Sequence, residues 1–309
     1  MDWTNRLLAA ALLASACWQT VRAEAPLRVV VDANSIWIEA GESPVLQYRY
    51  GDVPFKPYVK ELCTPGGLNV LLDAPHDHLH HHGLMFAVAV DGVNFWEETP
   101  TAGRQVQRSP LATILQGKDQ GGPGAGFCTG PSWTTATGSL VGLSEARTIK
   151  ACRMGEPEAT VVTWQSECRA IRPRAALTLS GSHYFGLGMR FVRSMDGGEF
   201  FNADGKEGTV FRGEERLVRS DWCAYAAAIE GKPVTVAMFD DPNNPRHPAT
   251  WFTMAEPFAY LSATLRLHEE PLLVTFDRPL RLRYGVALWD GRPDSEAIET
   301  LYGRWVAGR

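Results

Sequence analysis

Five histidines stand within the seven residues from 76 to 82, in the segment HDHLHHHG that ends at Gly83. Neutral imidazoles bind metal ions, and imidazoles also donate and accept protons near neutral pH. Asp77 lies inside the run, where its carboxylate can orient one ring by accepting a ring N–H. Such a density of imidazoles just before an apolar strand segment predicts either an acid–base site or a metal site. A solvated histidine-rich loop is the alternative without function.

The metal alternative depends on the direction of the side chains. Alternation along an extended chain would place His78, His80 and His82 on one side and His81 on the other. The first three are therefore the candidate ligands for a divalent metal. The run lacks the HExxH spacing and the other recognised zinc spacings. We therefore expect acid–base chemistry without a cofactor, with a divalent metal at the histidine cluster as the alternative.

The rest of the chain is dominated by short segments rich in Val, Ile, Thr and aromatic residues. These segments are separated by turn residues and run from LRVVVD near residue 27 to LRLRYGVALWDG near residue 280. The pattern predicts an all-β fold, a large antiparallel β-sandwich that is supersandwich-like. Alternation from Leu280 to Tyr284 predicts a strand with one packed and one wet face. Because no interdomain linker is evident, we expect one domain over residues 24–309.

Two segments depart from the strand pattern. Ser295 is predicted to cap a short C-terminal helix that closes one end of the sandwich. The apolar stripe of this helix consists of Ile298, Leu301, Tyr302 and Trp305. Residues 103–144 are rich in Gly, Ser, Thr and Pro, and they predict an insertion that forms a long surface loop or a lid.

The first 23 residues have the pattern of a secretory signal peptide. One arginine precedes an apolar run, and the triplet VRA at 21–23 supplies a cleavage site with a small residue. Cleavage there would leave a mature chain that begins at Glu24, in the periplasm or outside the cell. The segment ASAC at 14–17 resembles a degenerate lipobox, so a lipid on Cys17 is the alternative. No later segment is long and apolar enough to span a bilayer.

Charge and cysteine usage exclude several classes of protein. The net charge is −5 and no basic block occurs, which argues against a nucleic-acid partner and favours small molecules or neutral polymers. Beyond residue 23 the five cysteines lack CxxC spacing, so neither a zinc knuckle nor a disulfide framework is expected. A single bridge from Cys152 to Cys168 across a hairpin is left open.

Several longer segments resemble one uncharacterised bacterial family, whose members are often labelled methane oxygenase PmoA. They follow one another along the chain in the order YVKELCTPGGLNVLLDAPHDHLHHHGLMFA, VNFWEE, NADGKEGTVFR, AMFDDPNNPRHPATWF and LRLRYGVALWDG. The label conflicts with the sequence, because a particulate methane oxygenase subunit spans the membrane several times. The resemblance instead implies exported, sugar-active proteins of polysaccharide-degrading bacteria, with a sandwich of the galactose-mutarotase type.

Three motifs of this family fall on the present chain. The pattern DHPHHRGL falls on residues 77–84, with Leu79 in place of Pro and His82 in place of Arg. The loss of arginine removes a bidentate contact to an anion at that position. The KEG motif falls on Lys206, Glu207 and Gly208. The DPxNxRxPxxW motif falls on Asp241, Pro242, Asn244, Arg246, Pro248 and Trp251.

These observations predict a carbohydrate-active enzyme, a hydrolase, lyase or epimerase that acts on a glycoside or an oxidised sugar. We expect His78 or His81 to act with Glu207 as acid and base. The residues expected to bind the substrate are His80, Lys206, Asp221, Asn244, Arg246, His247 and Trp251. Glu167 and Asp221 are candidates for the second carboxylate that ordinary glycoside hydrolysis requires.

Tryptophans beside polar motif residues are candidate stacking platforms for a sugar ring, with Trp251 the first choice and Trp96 and Trp222 the others. A noncatalytic carbohydrate-binding protein is an alternative that would need these tryptophans and the Asn244 loop but not His81 or Glu207. A metal-dependent enzyme that uses the histidine cluster is a further alternative.

Overall fold

The structure, a computed structural model, describes residues 25–107, 113–119 and 122–308. The predicted signal peptide and Cys17 lie outside these residues.

The strands of the first half are β1 (Leu27–Val31), β2 (Ser35–Ala40), β3 (Ser43–Arg49), β4 (Tyr58–Leu62), β5 (Leu84–Ala87), β6 (Ala89–Val90), β7 (Val93–Asn94), β8 (Arg104–Val106), β9 (Thr113–Asp119), β10 (Gly122–Thr129), β11 (Ser132–Thr134) and β12 (Leu140–Met154). Those of the second half are β13 (Ala159–Ala170), β14 (Ala176–Ser180), β15 (Gly186–Arg190), β16 (Glu199–Asn202), β17 (Thr209–Arg212), β18 (Glu215–Arg219), β19 (Trp222–Ile229), β20 (Lys232–Asp240), β21 (Thr250–Met254), β22 (Tyr260–Thr264), β23 (Leu272–Thr275) and β24 (Leu280–Asp290). A 3-10 helix (Arg193–Met195) and the helix α1 (Ser295–Ala307) complete the described elements.

Two large antiparallel sheets form the sandwich. The first has the order β1-β2-β3-β4-β5-β15-β22-β21-β18-β17. The second has the order β16-β19-β20-β24-β13-β12-β10-β9, and β11 joins β8 to β12 at its margin. Leu187 and Leu261 of the first sheet share one buried apolar core with Ile149 and Val286 of the second. The all-β sandwich predicted from the sequence is therefore confirmed.

The smaller sheet, β23-β14-β6-β7, stands beside the two large ones. The alternation predicted from Leu280 to Tyr284 is confirmed, because Leu280, Leu282 and Tyr284 are buried while Arg281 is exposed. Within the described residues, no helix is both long enough and apolar enough to cross a membrane.

Helix α1 carries the predicted apolar stripe, and all four members of the stripe are buried. Its N-cap is Asp294 and not Ser295, since Oδ1 of Asp294 accepts a hydrogen bond from the Ala297 amide at 2.8 Å. The Trp305 indole packs on Phe239 of β20 and donates to Thr163 Oγ1 of β13 at 2.9 Å. The helix therefore covers one face of the second sheet, and the expectation that it closes an end of the sandwich is wrong.

The described residues between 103 and 144 are largely strands, so the long loop predicted there is wrong. Strands β8 to β11 and the start of β12 occupy this region. A Cβ on Gly126 of β10 would lie 2.6 Å from the Ile149 carbonyl oxygen, so the glycine permits close strand pairing. Phe127 and Trp133 are fully buried and hold the segment to the core.

The disulfide left open for Cys152 and Cys168 is not formed. Cys152 lies opposite Val161 in the pairing of β12 with β13, and Cys168 lies opposite Glu145. These two positions are far apart along the same strand pair, because each residue of a strand advances the chain by about 3.3 Å. The distance exceeds what a disulfide can bridge.

Candidate functional site

The histidine run folds as consecutive turns. The His78 amide donates to the Pro75 carbonyl, and the His81 amide donates to the His78 carbonyl, each at 2.9 Å. Gly83 ends the run with a φ of 40°, and a Cβ there would lie 2.2 Å from the Val59 carbonyl oxygen. Because turns replace the extended chain, the predicted alternation is wrong.

His78, His80 and His81 line one cavity, and His82 contributes nothing to it. The cavity has a volume of about 270 Å³ and lies on the face of the first sheet that carries Phe252 and Tyr260. Strands of that sheet supply its floor, and the histidine turns and the segment after β7 supply its walls. The lining residues are His78, His80, His81, Trp96, Glu97, Tyr184, Arg212, Glu215, Phe252, Met254, Phe258 and Tyr260.

His81 is held as a neutral imidazole. Burial and the neighbouring His80 and His78 lower the pKa of His81 to about 2. Its Nδ1 lies 3.4 Å from Nη1 of the buried Arg190. A guanidinium donates and cannot accept, so Nδ1 must accept and the proton is assigned to Nε2. His81 is therefore suited to donate a hydrogen bond and unsuited to carry a proton in acid–base exchange.

Arg190 and Asp77 form the support beneath this histidine. Arg190 Nη2 donates to Asp77 Oδ2 at 3.0 Å, and the guanidinium lies 3.6 Å from the centre of the Phe258 ring. Asp77 Oδ2 also pairs with His78 Nδ1 at 3.1 Å. Burial raises the pKa of Asp77, but the hydrogen bonds from His78 and Arg190 outweigh it and hold that pKa well below its ordinary value. The expectation that Asp77 orients a ring of the run agrees with this geometry.

Glu97 and His80 form a carboxylate–imidazole pair in the wall of the cavity. His80 Nε2 lies 3.6 Å from Glu97 Oε2, and the Tyr184 hydroxyl donates to Glu97 Oε1 at 3.4 Å. Burial lowers the pKa of His80, and the charge of Glu97 opposes that shift. Both side chains keep some exposure, 22% for His80 and 34% for Glu97, so a substrate can reach them.

A second carboxylate, Glu215, faces the same cavity from the first sheet. Its Oε2 lies 3.0 Å from His183 Nε2, and its Oε1 accepts from Arg212 at 2.6 Å. Burial lowers the pKa of His183, although the hydrogen bond to Glu215 raises it. Two partners fix this carboxylate, which makes it a positioning group more than a free base.

His82 belongs to a buried polar network behind the cavity. Its Nδ1 lies 2.7 Å from Asp73 Oδ1, and its Nε2 lies 3.0 Å from Glu98 Oε1. Glu98 also accepts from Lys56 at 2.8 Å, and Lys56 donates to the Trp96 carbonyl at 3.1 Å. Burial lowers the pKa of His82, but hydrogen bonds to the two carboxylates outweigh it and raise the pKa. The network fixes the segment that carries Glu97.

The ligand set predicted for the metal alternative is not brought together. Both ring nitrogens of His82 are occupied by Asp73 and Glu98, so His82 is not available as a ligand beside His78 and His80. Across the part of the chain that the structure describes, no three His, Cys, Asp or Glu side chains are grouped to hold a metal ion.

Glu207 and Lys206 are not brought to the histidines. Both are exposed and precede β17, whereas Arg212, which lines the cavity, ends β17. A strand of this length separates its ends by roughly 10 Å. Lys206 pairs with Asp204 at 3.2 Å. The predicted pairing of Glu207 with His78 or His81 is therefore not found in the structure.

Asp221 and His247 form a separate cluster with Asp240. His247 Nδ1 lies 2.7 Å from Asp240 Oδ2, and its Nε2 lies 3.3 Å from Asp221 Oδ1. His247 precedes β21 at the end remote from Met254, which lines the cavity. These two predicted substrate-binding residues thus lie away from the histidine cavity.

Asn244, Arg246 and Trp251 have structural contacts. Asn244 donates to Asp240 and to the Arg283 carbonyl, and it accepts from the Arg283 amide. Arg246 donates to backbone carbonyls that include those of Arg266 and Pro271. Trp251 is fully buried, and its indole donates to the Ser220 carbonyl at 2.7 Å. Trp251 offers no ring face to a sugar.

Of the remaining candidate residues, one lies at the histidine cavity and the others lie away from it. Trp222 is buried beneath α1 and donates to Glu299, whereas Trp96 is buried but lines the cavity. Glu167 lies between Arg169 and Arg281, beside a separate cavity of about 440 Å³ on the second sheet.

Sequence reasoning passed over several residues of this site. Glu97 stands in the motif VNFWEE, which marked the segment without assigning the carboxylate a role. Tyr184 lies in the turn before β15, Glu215 and Tyr260 begin β18 and β22, and no local signal distinguishes the three residues. Only the pairing of distant strands brings them to the histidines.

Comparison with known proteins gives a family and a set of solved structures. The family described as "Family of unknown function (DUF6807)" matches residues 35–303. Among curated proteins, none matches the sequence at a significant level. The chain is similar in structure to the GH36 alpha-galactosidases AgaB and AgaA from Geobacillus stearothermophilus, with TM-scores of 0.49 and 0.48 and sequence identities of 10% and 8%. It is also similar to a polysaccharide lyase, with a TM-score of 0.36 and 8% identity.

The extent of these structural matches is partial. The alignments include 85% and 86% of this chain for AgaB and AgaA, and 90% for the lyase. The chain spans 41% of the length of each alpha-galactosidase and 34% of that of the lyase.

Proposed function

We propose that this chain, which belongs to the DUF6807 family of unknown function, is a carbohydrate-active enzyme whose acid–base pair is Glu97 and His80. The observation that carries the proposal is the carboxylate–imidazole pair, 3.6 Å apart, in the wall of a partly open cavity. Such a pair moves protons near neutral pH when a substrate lies within hydrogen-bond reach. The sequence resemblance to sugar-active proteins supports the choice of substrate.

The shape of the cavity favours a single sugar unit. A volume of about 270 Å³ lies just below the roughly 300 Å³ at which ordinary ligand sites begin. Phe252, Met254 and Phe258 give the cavity an apolar lining that can contact the C–H face of a pyranose. Glu97 and Glu215 can accept hydrogen bonds from its hydroxyls. The cavity therefore suits one terminal residue of a saccharide.

The acid and base differ from those proposed from the sequence. Glu97 replaces Glu207 as the carboxylate, because Glu207 lies outside the cavity. His80 replaces His81 as the proton carrier, because Arg190 and burial hold His81 neutral. His78 and His81 stay in the site as groups that shape it and contact the substrate.

Sugars that bind this cavity are expected to raise the melting temperature of the protein. A ligand that binds only the folded state stabilises it by roughly 2.7 kcal/mol at a hundredfold excess over its dissociation constant. Thermal shifts should be measured with neutral sugars, uronic acids, ring-keto sugars and zinc. We expect a shift with at least one sugar class and a smaller shift in a Phe258→Ala variant.

Other outcomes of that screen decide between the alternatives. If no sugar shifts the melting temperature, the proposal is wrong. If a sugar raises the melting temperature but a turnover assay shows that the wild type does not convert it, the noncatalytic binding protein is the better assignment. A stoichiometric response to zinc alone would favour the metal-dependent enzyme.

We also propose that the chain is exported. The signal-peptide pattern predicts a mature protein that begins at Glu24, and the lipobox-like segment predicts instead a lipid on Cys17. Mass spectrometry of the full-length protein expressed in a bacterium should find the Glu24 terminus in the periplasmic fraction. A Cys17→Ser variant should give the same mature mass. An uncleaved chain in the cytoplasm would contradict export.

A further inference from the structure

Two buried polar atoms of the cavity residues have no hydrogen-bond partner in the described structure. They are the Trp96 indole Nε1 and the Tyr260 hydroxyl. Trp96 is fully buried, Tyr260 is 2% exposed, and both residues line the cavity. Leaving a buried polar group unpaired destabilises the folded state, so proteins rarely retain one without a purpose. The two atoms point to a ligand group that completes their hydrogen bonds.

The backbone beneath Tyr260 is adapted to this hydroxyl. A Cβ on Gly188 of β15 would lie 2.2 Å from the Tyr260 hydroxyl oxygen and 3.1 Å from the Trp96 ring. A side chain at position 188 would therefore displace both groups. The glycine lets the unpartnered hydroxyl and the indole occupy this place together.

His81 supplies a third donor of the same kind. Its Nδ1 faces the Arg190 guanidinium, which places the hydrogen on Nε2. The site thus contains an indole N–H, a phenol O–H and an imidazole N–H, and all three are neutral. A ligand hydroxyl would bring a hydrogen of its own, which among these three groups only the phenol oxygen could accept, whereas a carbonyl oxygen accepts from all of them and adds no hydrogen. A set of neutral donors is therefore matched to a carbonyl oxygen.

The charges around the cavity disfavour a carboxylate as the ligand group. Arg190 is paired with Asp77, and Arg212 is paired with Glu215. Glu97 and Glu215 line the cavity and would repel a second anion. A neutral carbonyl meets the donors without this repulsion.

We infer that the cavity takes a sugar that carries a ketone, with the ketone oxygen bound by Tyr260, Trp96 and His81, and with Glu97 as the base toward an adjacent C–H. This inference rests on the proposed function and specifies its substrate. Glu97 removes a proton from the carbon next to the carbonyl. The electron pair of that C–H bond forms a C=C bond, and the C=O pair moves to oxygen. The resulting enolate oxygen carries the charge that preorganised neutral donors stabilise.

The matching test uses pairs of compounds that differ only at one ring carbon. One pair is 1,5-anhydro-D-fructose, which carries a ring ketone, and its alcohol counterpart 1,5-anhydro-D-glucitol. Methyl glycosides oxidised at C2, C3 or C4 and their parent glycosides extend the panel. Binding is measured by calorimetry, and hydrogen exchange next to the ketone is followed by NMR in deuterated water. We expect at least one ketone to bind about tenfold more tightly than its alcohol and to exchange this hydrogen in an enzyme-dependent way.

A Tyr260→Phe variant separates a binding role from a structural one. The substitution removes one oxygen that has no partner in the free protein, so the melting temperature should stay equal or rise. The preference for the ketone over its alcohol should nevertheless fall roughly tenfold. Tyr50→Phe is the matched control, because its hydroxyl donates to the Asp32 carbonyl at 2.7 Å outside the cavity. That variant should lose stability and keep the ketone preference.

Failure of this inference can be told apart from failure of the proposed function. If alcohols and ketones of the panel bind equally, sugar binding stands and the carbonyl inference is overturned. An unchanged ketone preference in Tyr260→Phe would also overturn it. If no member of the panel binds, both proposals fall together.

Discussion

A Glu97→Gln variant is expected to lose turnover by about 10²–10⁴-fold while it still binds the sugar that stabilises the wild type. Glutamine keeps the size of the side chain and its hydrogen bond with Tyr184, but it cannot accept a proton from the substrate. His80 Nε2, 3.6 Å from the carboxylate, would also lose its charged partner. Turnover should be followed as product formation or hydrogen exchange, and binding as thermal shift.

Glu207→Gln is the control for this experiment. It makes the same chemical change at an exposed carboxylate that does not line the cavity. We expect its activity to equal that of the wild type. Loss of activity in Glu207→Gln with full activity in Glu97→Gln would reverse this assignment and restore the carboxylate chosen from the sequence.

The strands were largely predictable because their signal is local. SIWIEA and WCAYAAAI correspond to β2 and β19 without adjustment, since β-branched and aromatic residues favour extended chain between turn residues. Helix α1 was predictable from the spacing of its apolar stripe, although its cap lies one residue earlier. Composition misled at β10, where Gly126 permits close pairing of strands and does not mark a loop.

The candidate site was only half predictable. The sequence identifies residue types that carry chemistry, and it placed the histidine run at a strand edge. It does not specify which side of a sheet a residue faces or which distant strands pair. Trp251 and Phe252 are neighbours, yet Trp251 enters the core and Phe252 lines the cavity. The motif residues Asn244 and Arg246 donate hydrogen bonds to backbone carbonyls and so stabilise loops. A sequence motif can therefore reflect a structural requirement as well as a chemical one.

A His82→Leu variant is expected to be less stable than the wild type by about 3–5 kcal/mol, because removing one member of a buried charged group leaves the others uncompensated. His82 is only 4% exposed and lies between Asp73 and Glu98. His76→Leu is the matched control, since the His76 side chain is 82% exposed and its loss should change stability little. Equal stability of the two variants would show that the His82 network does not stabilise the folded protein.

The pH dependence of this loss follows from the raised pKa of His82. Because the pKa of the folded state exceeds the ordinary value of 6.5, the stabilisation is fully present below about pH 6.5 and is lost as the pH rises through the folded pKa. The pKa values of Asp73 and Glu98 are lowered in the folded state, so stability depends on pH in the opposite direction at acidic pH. The stabilisation from these two carboxylates is present above about pH 4.5 and is lost as the pH falls further. Urea unfolding at pH 4, 6 and 9 should therefore show the largest difference between wild type and His82→Leu at pH 6.

Replacing His82 with arginine tests more directly whether the protonation of His82 stabilises the fold. The family pattern that the sequence resembles has Arg where this chain has His82, and an arginine stays charged throughout this pH range. A His82→Arg variant should therefore keep the ion pairs to Asp73 and Glu98 and lose the decline in stability between pH 6 and pH 9. Since the same network holds the segment of Trp96 and Glu97, the variant should also retain sugar binding at alkaline pH, where wild-type binding weakens. A wild type and a His82→Arg variant with parallel stability curves would show that the protonation of His82 does not stabilise the fold.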